Sequence, residues 1–360
     1  MKKPLRILVV GCGHMGTSHA TAYEASPDFE IAGLVSRSPR SREALLKKLL
    51  PNKKYALFGD YEEALAATKP DGVCISTYPD THAEYAAIAL ESGCHVFLEK
   101  PIATSLKDAA KIIELSRNRR RKLVVGYILQ HHPAWQRFVE EAQKLGKPLV
   151  MRMNLNQQSS GAEWETHKQI LNSMSPIVDC GVHYIDVMCR MTKARPVSVY
   201  AIGARLSADI PRRTYNYGQM QVRFEDGSIG WYEAGWGPMM SQTAFFIKDV
   251  IGPEGSASIT ASSATLHDSA DVNAHTKTDS IFVHRSTLNS EGNFLEKDLL
   301  IEMSNEPDHD ALCALEQAYF LKSIQEDLDL DHHLDAAASS LQIVLAADES
   351  IRSGKVVGLS

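Results

Sequence analysis

Arg6-Ile7-Leu8-Val9-Val10-Gly11-Cys12-Gly13-His14-Met15-Gly16 carries an apolar run straight into three spaced glycines. The run reads as a short buried strand. The glycines have the spacing of a dinucleotide fingerprint, in which the first closes a tight turn and the second lets backbone approach a pyrophosphate. The third allows a helix to pack closely on the strand. A helix is expected at once, over roughly Met15–Ala25, its N-terminus offering N–H groups and a positive dipole end to phosphate. A phosphate-free packing turn could share this spacing. Its place between strand and helix favours a bound dinucleotide, so Gly11, Gly13, His14, Met15 and Gly16 are candidate cofactor residues.

The second strand, Glu30–Val35, bears on which dinucleotide. An NAD-preferring site usually has an Asp or Glu there to accept from the ribose 2′-hydroxyl. This chain has Ser36-Arg37-Ser38, with Arg40 and Arg42 close behind. Serine leaves room for a 2′-phosphate and arginine binds phosphate through a charged fork. Ser36 and Arg37 therefore point to NADP(H), with NAD(H) possible. The plainer alternative makes these arginines the solvated face of a helix over Pro39–Leu50.

Strands and helices then alternate at short intervals: helix Tyr61–Thr68, strand Gly72–Ser76, helix Ala83–Ser92, strand His95–Leu98, helix Leu106–Ser116 and strand Lys122–Tyr127. Such alternation implies a parallel sheet with helices on both faces. Ligands of such sheets bind beyond the carboxyl ends of the strands. Glu99-Lys100-Pro101 sits at one such end, with Pro101 blocking continuation of the strand, so Lys100 should project towards a ligand. A surface lysine before a turn is the plainer alternative.

Beyond Gly126 the pattern changes to successive strands: Leu149–Gln157, Pro196–Leu206, Asn216–Phe224, Ile229–Glu233, Phe245–Ile251 and Ala257–Ala261. Glu225-Asp226-Gly227-Ser228 is a hairpin signal, and Gly252-Pro253-Glu254-Gly255 is a second turn. Ser262–Asp279 is polar and reads as a surface excursion. Helices at about Asp308–Gln325 and Leu334–Ser353 close the chain, the last stopped by Gly354. The expected architecture is an α/β Rossmann domain with a parallel sheet over 1–127. An α+β domain with a mostly antiparallel open sheet follows over 128–360.

A second constellation is Asp179-Cys180-Gly181-Val182-His183. Four residues apart on a helix, Asp179 and His183 would share a face. A histidine suits acceptance of an alcohol proton at neutral pH, and a carboxylate one turn away could orient it or bind a substrate hydroxyl. An aspartate N-cap with a core histidine is the plainer alternative. A zinc pair would need further ligands, and none is identifiable, so no metal is expected.

Composition bounds the rest. The chain has 360 residues, enough for two domains, and a net charge of −6, which argues against nucleic acid as main partner. The basic run Arg117, Arg119, Arg120, Arg121, Lys122 ends a helix, where cations complement the dipole. Six scattered cysteines without a CxxC read as reduced cytoplasmic thiols. Neither a signal peptide nor a membrane-spanning run is legible.

Taken together, the chain resembles the glucose–fructose oxidoreductase / inositol dehydrogenase (Gfo/Idh/MocA) family. The resemblance is carried by Gly11–Gly16, Thr77-Tyr78-Pro79-Asp80-Thr81-His82, Glu99-Lys100-Pro101, Ser175–Asp186 and the closing Ile351–Val357. It implies hydride transfer between NADP(H) or NAD(H) and a secondary alcohol or ketone of a sugar, cyclitol or sugar derivative. Lys100, Asp179 and His183 would be the catalytic set. Thr77, Pro79, His82, Glu99, Lys100 and Trp164 would lie along the cofactor. Tyr127 and Gln130-His131-His132 would join Lys100, Asp179 and His183 at the substrate. Ser36 and Arg37 depart from the acidic pattern of NAD-bound inositol dehydrogenases. An open sheet face in the second domain implies a homodimer or homotetramer. A nucleotide-retaining enzyme that oxidises transiently to cleave or epimerise a sugar, and a non-catalytic sensor, are the alternative readings.

Overall fold

The computed structural model describes residues 3–50, 53–241, 247–260, 278–304 and 306–359. The chain divides into two compact units, Met1–Ile128 with Pro307–Ala338, and Leu129–Glu306 with Ser339–Ser360.

The first unit contains strands β1 (Leu5–Val10), β2 (Phe29–Val35), β3 (Leu57–Phe58), β4 (Gly72–Ile75), β5 (His95–Glu99) and β6 (Leu123–Gly126). Helices α1 (His14–Ala25), α2 (Pro39–Leu46), α3 (Tyr61–Thr68), α4 (His82–Glu91) and α5 (Leu106–Arg119) alternate with them. The strands form one six-stranded parallel sheet in the order β3-β2-β1-β4-β5-β6. Every residue of β4 and β6 is buried, as strands covered on both faces require. The stripe Ala109, Ile112, Ile113, Ser116 is the buried face of α5, which packs beside α4. Order reverses between β1 and β4, so the loops after these two strands flank the switch point of the sheet.

The second unit follows the short α6 (Ile128–His131). It runs through α7 (Pro133–Ala142), β7 (Val150–Gln158), α8 (Gly161–Ile170), α9 (Pro176–Asp179) and α10 (Gly181–Thr192). Strands β8 (Pro196–Ala204), β9 (Tyr217–Phe224), β10 (Ile229–Gly237), β11 (Lys248–Gly252), β12 (Gly255–Thr260), β13 (Ser280–Arg285) and β14 (Leu299–Glu302) come next. Helices α11 (His309–Gln325) and α12 (Asp331–Ser353) lead to β15 (Val357–Gly358). The nine-stranded sheet has the order β14-β13-β12-β11-β7-β10-β9-β8-β15. Its pairs are antiparallel except β7 with β10, which is parallel.

Residues alternate across this sheet with period two. Met151, Met153, Val222, Tyr232, Ala234, Val250, Ala257 and Ile281 are buried on the inner face. On the other face the register aligns Tyr200, Gln221, Trp231, Arg152, Asp249, Ser258, Phe282 and Leu300 in one transverse row. Both expected turns are hairpins. In the first, Gly227 takes φ +83°, and the Phe224 N–H donates to the Ser228 carbonyl at 2.9 Å.

Several elements depart from the sequence expectation. Helix α8 lies where no helix was expected, because it buries only Trp164 and shows no apolar stripe. Strands β13 to β15 were not anticipated. The stretch expected as a polar excursion at Ser262–Asp279 lies, up to residue 277, outside the described residues, as do the first two residues of the strand expected from Phe245. The region 128–360, read as one domain, gives Pro307–Ala338 to the first unit. There α11 buries Leu312, Cys313, Gln317 and Phe320. The Tyr23 hydroxyl donates to the Gln317 carbonyl oxygen, and Phe320 packs edge-on against Phe97 at 6.1 Å. Helix α5 also runs past Ser116 to Arg119, and its Arg117 pairs with Asp331 and Asp335 of α12.

Candidate active site

In the first unit the three glycines divide the work of the turn. Gly11 takes φ +101°, and a Cβ there would lie 2.2 Å from the Ser76 carbonyl oxygen. A Cβ on Gly16 would lie 1.8 Å from the Gly11 carbonyl oxygen. Gly13 differs, since a Cβ there would meet nothing within 4 Å. Gly13 is also the N-cap of α1, with no side-chain cap and no acidic residue in the first turn. The helix start thus keeps its N–H groups and positive dipole end for an outside anion. His14 is exposed and Met15 half-buried beside it.

At the end of β2, Ser36 is half-buried and Arg37 and Arg40 are exposed. Arg42 is committed to the protein, its Nη1 donating to the Ser36 carbonyl. Ser38 caps α2 by accepting from the Ser41 N–H at 3.3 Å. After β4, the Thr77 and Thr81 hydroxyls share a hydrogen bond of 2.7 Å, and Pro79 begins a single 3-10 turn. His82 is fully buried, its Nδ1 2.8 Å from the Pro101 carbonyl and its Nε2 3.0 Å from the Thr77 carbonyl. Its ring therefore ties the loop after β4 to the loop after β5. Burial pushes its pKa down, against the two carbonyls, which raise it.

Glu99 is buried at the end of β5. Its Oε1 lies 2.6 Å from His19 Nε2, and its Oε2 accepts from the Lys100 N–H at 3.2 Å. Gly126 makes room for this carboxylate, since a Cβ there would approach Oε1 to 3.3 Å. Glu99 and His82 thus use their polar atoms on the protein and fix the loop that carries Lys100. Lys100 is half-buried and its peptide bond to Pro101 is cis. Tyr127 is buried, its ring edge-on to His333 at 6.4 Å.

The second unit gathers its own polar cluster at the ends of β7 and β10. Ser175 caps α9 by accepting from the Val178 N–H, with Pro176 in the first helical turn. The helix stops at Asp179, and α10 starts afresh at Gly181. A Cβ on Gly181 would sit 3.2 Å from both the Tyr232 ring and Val344, so glycine lets α10 press onto β10. Asp179 and His183 therefore stand on two consecutive helices rather than one continuous face. The His183 N–H bonds back three residues, to the Cys180 carbonyl at 3.2 Å. Both side chains are half-buried.

Gln157 and Trp236 are register partners on β7 and β10. The Trp236 indole donates to Gln157 Oε1 at 2.7 Å, and the Cys180 thiol donates to the same oxygen at 3.7 Å. Trp236 stacks on His167 with centroids 4.6 Å apart and planes at 7°. His167 Nδ1 is 2.9 Å from the Ser159 hydroxyl. Burial pushes the His167 pKa down to about 4, against the charge of Asp179, which raises it. A neutral imidazole therefore stands near Asp179 at neutral pH. Sequence reading passed over His167, Gln157 and Trp236, which are brought together only by the pairing of β7 with β10 and the placing of α8.

Other expected residues are placed more simply. Trp164 on α8 is buried and donates its indole N–H to Asp209 at 3.3 Å. Gln130 donates to Asp186 at 3.0 Å. Burial, with the charge of Arg190, lowers the His131 pKa to about 4. His132 caps α7 by accepting from the Ala134 N–H at 3.2 Å. Lys100 belongs to the first unit, Asp179 and His183 to the second.

Comparison with known proteins follows the same division. A family model described as an oxidoreductase family with an NAD-binding Rossmann fold matches residues 5–127. The GFO/IDH/MocA C-terminal domain model matches residues 137–258. The chain is 27% identical over 205 residues to UDP-N-acetylglucosamine 3-dehydrogenase of Acidithiobacillus ferrooxidans, covering 57% of this chain and 60% of that one. It is 27% identical over 195 residues to D-glucoside 3-dehydrogenase of Escherichia coli, covering 51% and 52%. The match thus spans about half to three-fifths of these relatives' length. Among solved structures, aldose-aldose oxidoreductase from Caulobacter crescentus superposes with a TM-score of 0.78 at 16% identity, covering 99% of this chain and 100% of that one. That likeness is one of fold.

Proposed function

The chain belongs to the Gfo/Idh/MocA family of oxidoreductases, and from that premise we propose that it transfers a hydride reversibly between a nicotinamide dinucleotide and a secondary alcohol or ketone. The substrate class is a sugar, cyclitol or sugar derivative, in line with the names of its relatives. The observation that carries the reading is Gly13, open to space at the uncapped start of α1 beside the switch point of the sheet. Gly11, Gly13, His14, Met15 and Gly16 would hold the diphosphate, and Thr77 and Pro79 would line the same loop edge. Bound there, the dinucleotide supplies the hydride acceptor or donor. Exposed Arg37 beside Ser36 favours NADP(H) over NAD(H), because a 2′-phosphate would find a cation and no competing carboxylate.

Lys100, Asp179 and His183 form the catalytic set in this reading. The Lys100 ammonium hydrogen-bonds the reacting oxygen and offsets the negative charge that develops on it. The His183 imidazole accepts the hydroxyl proton in the oxidation direction. Asp179 orients that ring or binds a neighbouring hydroxyl. Trp164, Tyr127 and Gln130 complete the binding set, and Glu99 and His82 act by holding the Lys100 loop.

The outer row of the nine-stranded sheet exposes Tyr200, Phe282 and Leu300, which supports burial against a second copy in a homodimer or homotetramer. A monomer mass at micromolar concentration would sink that part. Six free cysteines support a reducing, cytoplasmic setting. Among the described residues no helix is long and apolar enough to cross a membrane.

The test of activity is a nicotinamide absorbance screen of wild type and Lys100→Met against inositols, hexoses, anhydrosugars and sugar acids, with NADP⁺ and NAD⁺ in parallel. Turnover lost in the variant is the expected result. Silence across the panel with tight nucleotide binding would overturn it in favour of a nucleotide-retaining enzyme or a sensor.

A further inference from the structure

Inside the first unit, α1, β5 and α11 bring together a cluster that the proposed hydride chemistry does not use. His19, Cys313 and Glu316 each offer one donor atom, and these atoms lie within 4.8 Å of one another. All three residues are buried, with His19 and Cys313 at 0% and Glu316 at 1% exposure. Among the described residues, neither carboxylate oxygen of Glu316 has a hydrogen-bond partner. The charge it faces is that of Glu99, of like sign. A buried carboxylate in this setting must either keep its proton or meet a cation.

We propose that His19, Cys313 and Glu316 form a three-ligand site for one thiophilic divalent cation of the zinc class. The donor set selects the metal, since sulfur, imidazole nitrogen and a carboxylate together suit zinc, whereas magnesium and calcium take oxygen ligands. Charge balances as well: one thiolate and one carboxylate neutralise a divalent ion beside a neutral imidazole. Loading would exchange the thiol and carboxyl protons for the ion. His19 is already oriented at both nitrogens, Nε2 by Glu99 at 2.6 Å and Nδ1 by the Gln317 amide at 2.9 Å. The carboxylate of Glu99 takes the Nε2–H, so the lone pair lies on Nδ1, where the ion would replace the Gln317 amide donor. An imidazole ligand held in this way at its other nitrogen is a recurrent feature of metal sites.

The test is metal content of the intact purified chain, followed by chelator stripping and titration with zinc and then cobalt(II). The expected result is about one zinc per chain, a thermal midpoint that falls on stripping and recovers on zinc addition, and a thiolate-to-cobalt absorption band. Cys313→Ser should abolish the band. Glu316→Gln keeps the shape of a protonated carboxyl, so it should fold and yet lose stoichiometric zinc. Wild type that carries no stoichiometric zinc and shows no cobalt–thiolate band would overturn the site and leave Glu316 as a buried neutral acid. Zinc retained equally by Cys313→Ser and Glu316→Gln would overturn it too, by placing the metal elsewhere. None of these readouts requires dehydrogenase activity.

Discussion

His19 Nε2 and Glu99 Oε1 meet at 2.6 Å where neither residue is open to water, at 0% and 6% exposure. The other Glu99 oxygen takes the Lys100 N–H, so the pair fixes the backbone from which Lys100 departs. Removing the imidazole would leave the carboxylate buried beside Glu316. His19→Ala is therefore expected to lose about 3–5 kcal/mol of unfolding free energy, read as a lower urea midpoint with an unchanged m-value. A loss within experimental scatter would show that the pair carries no net stability.

The three glycines of the first turn should separate folding from binding. Gly13→Ala adds a methyl group to open space at φ −83°, so its cost is limited to the roughly 1 kcal/mol by which an N-cap prefers glycine to alanine. Its thermal midpoint should fall by only a few degrees while dinucleotide affinity falls at least tenfold by fluorescence titration, because the backbone no longer approaches the diphosphate. Gly16→Ala should instead unfold at a lower temperature, since its Cβ collides with the Gly11 carbonyl. Equal affinity in Gly13→Ala and wild type would move the diphosphate off this turn.

The first unit was legible because its determinants are local: Gly11 to Gly16 sit within one turn, and the strands that follow are short and apolar on both faces. The return of α11 was not, because it depends on Tyr23 meeting Gln317 across 294 residues of sequence, and a stripe such as Leu312, Cys313, Phe320 does not say which sheet it covers. In the second unit the motif around Asp179 and His183 was visible, but its geometry was not. Pro176 and the Ser175 cap start a helix that lasts four residues, and the break at Cys180 follows from Gly181 pressing on Tyr232, a contact between distant segments. His167 escaped notice for the same reason, as its meaning comes from Trp236 stacking on it.

Arg37 should decide the cofactor. It is exposed beside Ser36, whereas Arg42 is bound to the Ser36 carbonyl. A charge-assisted hydrogen bond to phosphate is worth about 1.5–3 kcal/mol, so Arg37→Ala should raise the KM for NADP⁺ by about tenfold or more and leave that for NAD⁺ unchanged. Ser36→Asp should add repulsion against the 2′-phosphate and invert the preference. Parallel KM shifts for both nucleotides in Arg37→Ala would mean that the arginine reads only the diphosphate or the fold.

Stability should fall as the solution is acidified below neutrality. Burial lowers the pKa of His95, His131, His132 and His167 to about 4 each, whereas in the unfolded chain they titrate near 6.5. Between these values the unfolded state binds more protons, so unfolding free energy decreases as pH drops from about 6.5 towards 4 and is fully held above 6.5. Each histidine contributes a slope of at most about 1.4 kcal/mol per pH unit. Urea unfolding at pH 7 and pH 5 should show the loss, and His167→Gln should flatten the slope by about one proton. A midpoint independent of pH over this range would contradict the buried neutral imidazoles.

The last prediction concerns the roles of Lys100 and His183, which differ in what they should cost. Neither residue belongs to the glycine turn, so nucleotide affinity measured by fluorescence should survive Lys100→Met and His183→Asn. Turnover should not. Loss of a general base typically removes about 10²–10⁴ in kcat, and His183→Asn keeps a polar side chain of similar reach without a titrating nitrogen. It should therefore also abolish the acidic limb of the pH–rate profile, a change that a merely structural residue would not produce. Lys100→Arg tests the electrophile separately, because the planar guanidinium fork cannot take the place of a compact ammonium at one oxygen. It should stay close to Lys100→Met in kcat. Full activity in Lys100→Arg would show that positive charge alone suffices, and an unchanged pH profile in His183→Asn would pass the proton to another group, with His167 beside Asp179 the first to examine.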